Sequence, residues 1–205
     1  MRHDEAGNAT IVVIAIALLL SASGAEPASA HGGGDIAGGF AGGFGHPLFG
    51  PDHVAAMVAV GLWGAMLGPP AIWLLPIAFP LVMAFGGVLG IVAVQMPRVE
   101  VGIAISAIVL GLMIALAVRA PLVVAVAVVS AFAILHGHAH GSELPPGADA
   151  IAFSAGFVIA TGLLHVGGIG LGLATRRPAG RIAVRIMGAA IAGAGVIFLR
   201  TAVWL

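Results

Sequence analysis

The side chains able to do chemistry gather in two short runs and one isolated position. The first run is His46-Pro47-Leu48-Phe49-Gly50-Pro51-Asp52-His53. Imidazole nitrogens and carboxylate oxygens are ligands for divalent metals, and Met57, one helical turn beyond His53, offers a soft thioether on the same face. On a regular helix His46 and His53 would share a face to within about 20°. They would also stand about 10 Å apart along its axis, too far for one small ion. A break at Gly50-Pro51 would fold them together.

The second run is His136-Gly137-His138-Ala139-His140-Gly141-Ser142-Glu143. His136, His140 and Glu143 follow an i, i+4, i+7 pattern, which is one helical face, and a histidine pair at i, i+4 can share a metal ion. His138 is expected to point the other way, toward water. The isolated position is His165, inside an apolar segment. A lone histidine there can serve a helix interface. Below two ligand clusters it also reads as an inner waypoint for an ion or a proton.

The ligand set is nitrogen and oxygen, because cysteine is absent. That suits Ni(II), Co(II) and Zn(II) and argues against a Cu(I) or thiolate site. It also excludes disulfides and thiol catalysis. All eight basic residues are arginines, so the Gly-Lys-Ser/Thr phosphate loop is impossible. The net charge is zero, which gives no field for nucleic acid.

The elements that carry these runs must be membrane helices. The 205 residues are 60% apolar and 8% charged, with a mean hydropathy of +1.16. Soluble domains run at about 45–50% apolar and about 25% charged. Residues 1–30 have the layout of a secretory signal peptide: a polar start with Arg2, an apolar run over 11–20, and Ala28-Ser29-Ala30 at the end. Cleavage after Ala30 would expose His31, whose amine and imidazole together form a two-nitrogen chelate.

Six apolar segments follow, over 37–67, 71–94, 99–118, 121–141, 150–175 and 181–204. Each suits a tilted membrane helix, and the short breaks between them make consecutive helices antiparallel. The expectation is an all-α membrane protein: one six-helix domain over residues 31–205 behind a cleavable signal peptide. Export of the N-terminus puts Arg119, Arg176, Arg177, Arg181 and Arg185 inside and only Arg98 and Arg200 outside, in line with the positive-inside rule. Asp35, Glu100, Glu143, Asp149 and both histidine runs then face outward, as does the C-terminus.

Small residues recur four apart at Gly64/Gly68, Gly86/Gly90, Gly168/Gly172 and Ala189/Gly193, the spacing that lets helix backbones approach in lipid. Pro76 and Pro80 should kink the second segment. The glycines of 38–45, with Pro47, Gly50 and Pro51, make the front of the first segment a poor helix. The first helix is therefore expected to be discontinuous, as in transporters whose substrate sites sit at broken helices.

These residues resemble the HupE/UreJ family of nickel/cobalt permeases. The stretch from His46 to His53 fits its His-x5-Asp-His signature, within a Gly45–Gly61 context that also matches at His46-Pro47, Gly50, Asp52-His53, Met57 and Val60-Gly61. The second family signature, Phe-His-Gly-x-Ala/Val-x-Gly-x-Glu, reads here from Leu135 to Glu143 and departs only at Leu135. The resemblance implies that His46, Asp52, His53, His136 and Glu143 carry transport. His140 stands at a variable place of the signature, so helix geometry alone makes it a helper.

The expected activity is a secondary permease for Ni(II) or Co(II) in a bacterial inner membrane, not an enzyme. It would hold no prosthetic group, only the transported ion in an incomplete, partly hydrated shell. Glu143, Asp149 and His31 would gather ions at the mouth. The resemblance links the metal to a hydrogenase or urease. Two other readings fit the residues: a metal-dependent intramembrane hydrolase, and a metal-binding subunit that needs an energising partner.

Overall fold

The structure, a computed structural model, describes residues 39–144 and 147–204. The expected signal peptide and His31 lie outside them. The described residues form seven α-helices and no strand: α1 (Phe40–Phe49), α2 (Pro51–Leu67), α3 (Ala71–Ile91), α4 (Val99–Ala115), α5 (Leu122–Ser142), α6 (Ala150–Gly172) and α7 (Pro178–Trp204). A 3₁₀ turn, Leu173–Arg176, joins α6 to α7.

The break between α1 and α2 follows from Pro51. Proline disfavours the helical region for the residue before it. Gly50 accordingly sits in extended backbone at φ −84°, ψ 106°, and Pro51 opens α2 at its first position. The two helices meet at 81°. Glycine is needed at position 50 for space: a Cβ there would stand 2.9 Å from His53 Nδ1 and 3.2 Å from Asp52 Oδ1.

The glycine-rich front of the segment is helical, contrary to the expectation of irregular backbone. Its glycines are contact surfaces. Gly43 lies against the backbone of Phe153, and Gly156 of α6 lies against the backbone of Phe40 and Phe44. Close packing on α6 supports a helix that local propensity disfavours.

Helix α3 likewise runs as one helix through Pro76 and Pro80. One stripe of α3 (Leu75, Phe79, Met83, Gly86 and Gly90) is buried, while Trp73, Ile77, Leu81 and Phe85 are exposed. Exposed large apolar side chains at helical spacing are what a lipid-facing surface requires.

Four helical stretches are long and apolar enough to cross a membrane: α3, α5, α6 with its 3₁₀ turn, and α7. The bent pair α1 and α2 makes a fifth if counted as one span. Helix α4 has 17 residues, about 25 Å at 1.5 Å per residue, which falls short of a hydrocarbon core of about 30 Å.

Glycines select the closest helix pairs, and these are mostly not neighbours in sequence. On α3, Gly86 meets the backbone of Ile134 and Gly90 that of His138 and Ser142; in return Gly137 and Gly141 of α5 meet the backbone of Met83 and Gly87. Gly61 and Gly168 lock α2 to α6 in the same reciprocal way. In both pairs the contacts advance together along the chain, so the helices run parallel.

Helix α4 packs antiparallel on α7 through Gly111, Gly188 and Gly195. That corrects the expected Ala189/Gly193 pair: both residues are exposed, and a Cβ at Gly193 would meet nothing. Gly68 is likewise a turn residue, at φ 80°, rather than a packing residue.

A Gly86→Val substitution drives side-chain carbon into the Ile134 carbonyl. It is expected to cost about 1–3 kcal/mol, read as a lowered melting midpoint of the purified chain in detergent. Gly170→Ala, where a Cβ meets open space, should leave the midpoint unchanged or raise it. Equal behaviour of the two variants would refute the packing role.

Candidate metal centre

The bend at Gly50 turns α1 and α2 so that His46 and His53 meet, with ring centroids 6.2 Å apart. Helix α5 supplies the other side. His140 lies 4.8 Å from His46 and 4.5 Å from His53 by ring centroid, and His136 lies 5.2 Å from His53. Glu143, which caps α5, brings Oε2 to 3.9 Å from His46 Nε2. One ligand atom each from His46, His140 and Glu143 falls within 4.8 Å of the others. His140 therefore stands at the centre of the cluster, as the i, i+4 spacing suggests, rather than at its margin.

The cluster grades from open to closed. The side chains of His46 and Glu143 are 38% and 56% exposed. His53 and His140 fall to 7% and 8%, and His136 is fully buried. Deeper still is His165, at 1%, about 22 Å along α6 from its first residue at 1.5 Å per residue. Phe79 joins the two levels, with its ring centroid 5.5 Å from His136 and 5.4 Å from His165. The Pro76 carbonyl lies near the His165 ring. Pro80 has no N–H to bond that carbonyl in the ordinary helical pattern.

Hydrogen bonds fix which nitrogens are left as ligands. His53 donates from Nδ1 to Asp52 Oδ1 at 2.8 Å, and its backbone N–H donates to the same oxygen at 2.9 Å. His136 donates from Nδ1 to the Phe132 carbonyl at 2.9 Å. In both rings the proton on Nδ1 leaves the Nε2 lone pair free, and both Nε2 atoms are buried without a hydrogen-bond partner. Both nitrogens of His140 and of His165 and the hydroxyl of Thr161 are also buried and unpartnered. Buried polar atoms are ordinarily satisfied. Each such neutral imidazole keeps a lone pair, the donor chemistry a divalent cation requires, and a carboxylate orienting the outer nitrogen, as Asp52 does for His53, is the usual support for such a ligand.

His138 and Asp149 play different parts from those expected. His138 does not face water: it is buried and donates from Nε2 to the Val94 carbonyl at 2.6 Å, tying α5 to the end of α3. Asp149 accepts from the N–H groups of Ile151 and Ala152, each at 3.0 Å, so its carboxylate caps α6. Met57 is fully buried within the apolar core. Asp52 reaches the site through His53.

Other side chains gain a place that the sequence reading did not assign them. Glu100 joins Asp52 in lining a cavity of about 260 Å³ beside α7. Burial first, and the Glu100 charge second, raise the Glu143 carboxyl above its ordinary value. Phe153 and Phe157 wall the cluster, with Phe157 4.2 Å from His140 by centroid. Aromatic residues in an apolar sequence carry no signal of such a role.

Asp52→Ala removes the acceptor that orients His53. Nickel affinity of the purified chain, measured by calorimetry, is expected to fall about 10–100-fold. Asp52→Asn keeps an acceptor oxygen and should lose less. Equal losses would mean that Asp52 acts through its charge and not by orienting the ring.

Comparison with known proteins agrees with the motifs. The profile of the HupE / UreJ protein family matches residues 16–198. Protein HupE of Rhizobium leguminosarum bv. viciae is 46% identical over 169 residues, which cover 82% of this chain and 86% of that protein. No solved structure matches the chain. Both histidine runs lie within the matched span, and this chain belongs to the HupE/UreJ family.

Proposed function

We propose that the chain is a secondary permease that carries Ni(II) or Co(II) across a bacterial inner membrane and supplies a hydrogenase or urease. The reading takes α1 with α2 as one broken span and α4 as a short one, which makes six. It places the histidine end in the periplasm and the arginine end in the cytoplasm, by the positive-inside rule. The C-terminus then lies on the periplasmic side, and residues 1–30 act as a cleaved signal peptide.

The observation that carries this reading is the graded line of imidazoles. It begins at half-exposed His46 and Glu143, continues through His53, His140 and His136, and resumes at His165 beyond Phe79. An ion entering such a line exchanges water for nitrogen step by step. Conduction needs sites that bind without trapping, and a mouth that leaves the ion partly hydrated meets that need. Family membership supports the same reading.

Vesicles containing only the purified chain are expected to take up nickel saturably. Asp52→Ala and His136→Ala should each lower uptake at least about tenfold, with cobalt competing better than zinc. A chain that keeps a metal tightly through purification yet moves none would instead be a hydrolase or a partner-dependent subunit.

A protonated imidazole has no lone pair to offer. Uptake should therefore fall as external pH is lowered into the acid range. Burial opposes the charged form of an imidazole, so uptake that persisted unchanged to about pH 3 would count against ligation by histidine.

A further inference from the structure

The end of the bundle opposite the imidazoles holds a second charged site. A cavity of about 430 Å³ opens between the end of α2, the α4–α5 connection and the start of α7. Arg119, Arg181 and Arg185 line it, with Met66, Val118 and Ile182 as apolar walls. Arg181 and Arg185 are one helical turn apart and share a face of α7. The first turn of α7 adds the positive end of its helix dipole. The described acidic residues (Asp52, Glu100, Glu143 and Asp149) all belong to the opposite end of the bundle. None of the three arginines forms an ion pair among the described residues.

The site is built rather than accidental. Arg185 donates from Nε to the Ala115 carbonyl at 2.7 Å, which anchors its guanidinium against the C-terminus of α4. Trp63 donates from Nε1 to the Val118 carbonyl at 3.1 Å and fixes the wall. Arg119, Arg181 and Arg185 are exposed around the cavity, and an anion seated among them would be attracted by all three at once. Guanidinium groups match the oxygens of phosphate in forked pairs. The cavity is within the usual ligand range of about 300–1,000 Å³, and its apolar walls suit an acyl chain. Ile182 and Leu116 stand exposed beside it at 64% and 67%, on the surface where lipid would lie.

We propose that this cavity binds a phosphate group, presented by the headgroup of an anionic phospholipid whose chains lie along Ile182 and Leu116. Basic pockets between membrane helices hold such headgroups on the cytoplasmic side. The bound lipid would tie α7 to the ends of α2 and α4. The inference uses residues remote from the imidazoles and does not depend on metal transport.

The test titrates the purified full-length chain in detergent with phosphatidylglycerol, phosphatidylcholine and inorganic phosphate. Native mass spectrometry and the melting midpoint are the readouts. Phosphatidylglycerol should be retained on the chain and raise the midpoint, while phosphatidylcholine does neither. The double variant Arg119→Gln/Arg181→Gln should weaken phosphatidylglycerol binding by about tenfold or more. Arg200→Gln, at the other end of the bundle, should not.

A midpoint raised by inorganic phosphate alone, and lost in the double variant, would keep the phosphate site but assign it to a soluble anion. Equal retention of the two lipids by the wild type would overturn the proposal, as would wild-type affinity in the double variant. The wild-type lipid comparison decides the matter even if the double variant does not fold.

Discussion

Backbone contact through glycine is the constraint on which this molecule depends. In lipid, apolar side chains gain nothing by leaving their surroundings for each other, so close van der Waals packing and hydrogen bonds must hold helices together. Here Gly86, Gly90, Gly137 and Gly141 bring α3 and α5 into direct contact, and Gly61 and Gly168 do the same for α2 and α6. A methyl group at most of these points would collide with a facing carbonyl. The same pairing sets the depth of each histidine. Two of the α5 glycines alternate with His136, His138 and His140, so the packing face and the ligand face are interleaved along one helix.

The histidine site shows how a polar cluster survives in such a bundle. His53 and His136 each spend one nitrogen on a hydrogen bond and keep the other free. That costs free energy while nothing occupies the cluster, because buried polar atoms prefer partners. The cost is tolerable because the rings are neutral when unprotonated and the cluster packs on aromatic rings, His136 on Phe79, His46 on Phe153 and His140 on Phe157. The described acids and all the described histidines but His165 collect at one end of the bundle, and the arginines other than Arg98 and Arg200 at the other. A cation approaching the histidine end meets an attractive surface; the opposite end presents an arginine-lined cavity.

Much of the site was legible because proline and histidine act locally. Pro51 disfavours helix at Gly50, and glycine there weakens it further, so a break between His46 and His53 is expected from sequence, although Pro47, Pro76 and Pro80 sit inside continuous helices. The i, i+4, i+7 register of His136, His140 and Glu143 needs only the helical period. What was not legible depended on neighbours. His138 has the same chemistry as His140, yet it tethers Val94 because α3 ends beside it. Asp149 looks like a mouth acid and is a helix cap. Glycine spacing located the packing faces of α3 and α6 but misplaced that of α7, where Gly188, Ala192 and Gly195 face α4 and Ala189 and Gly193 do not. In a helix rich in small residues, several registers satisfy the same pattern.

By itself the sequence determined the membrane environment, the helical class, the broken first segment and the ligand types, since composition, proline stereochemistry and side-chain chemistry are properties of the chain alone. Tertiary structure decided which helices pair, that two of the closest pairs are parallel and non-consecutive, and that one imidazole cluster forms from α1, α2 and α5. It also decided that Arg119 joins Arg181 and Arg185 of α7 around one cavity. These outcomes rest on backbone-to-backbone fit between separate helices, and no local pattern encodes which surface will meet which.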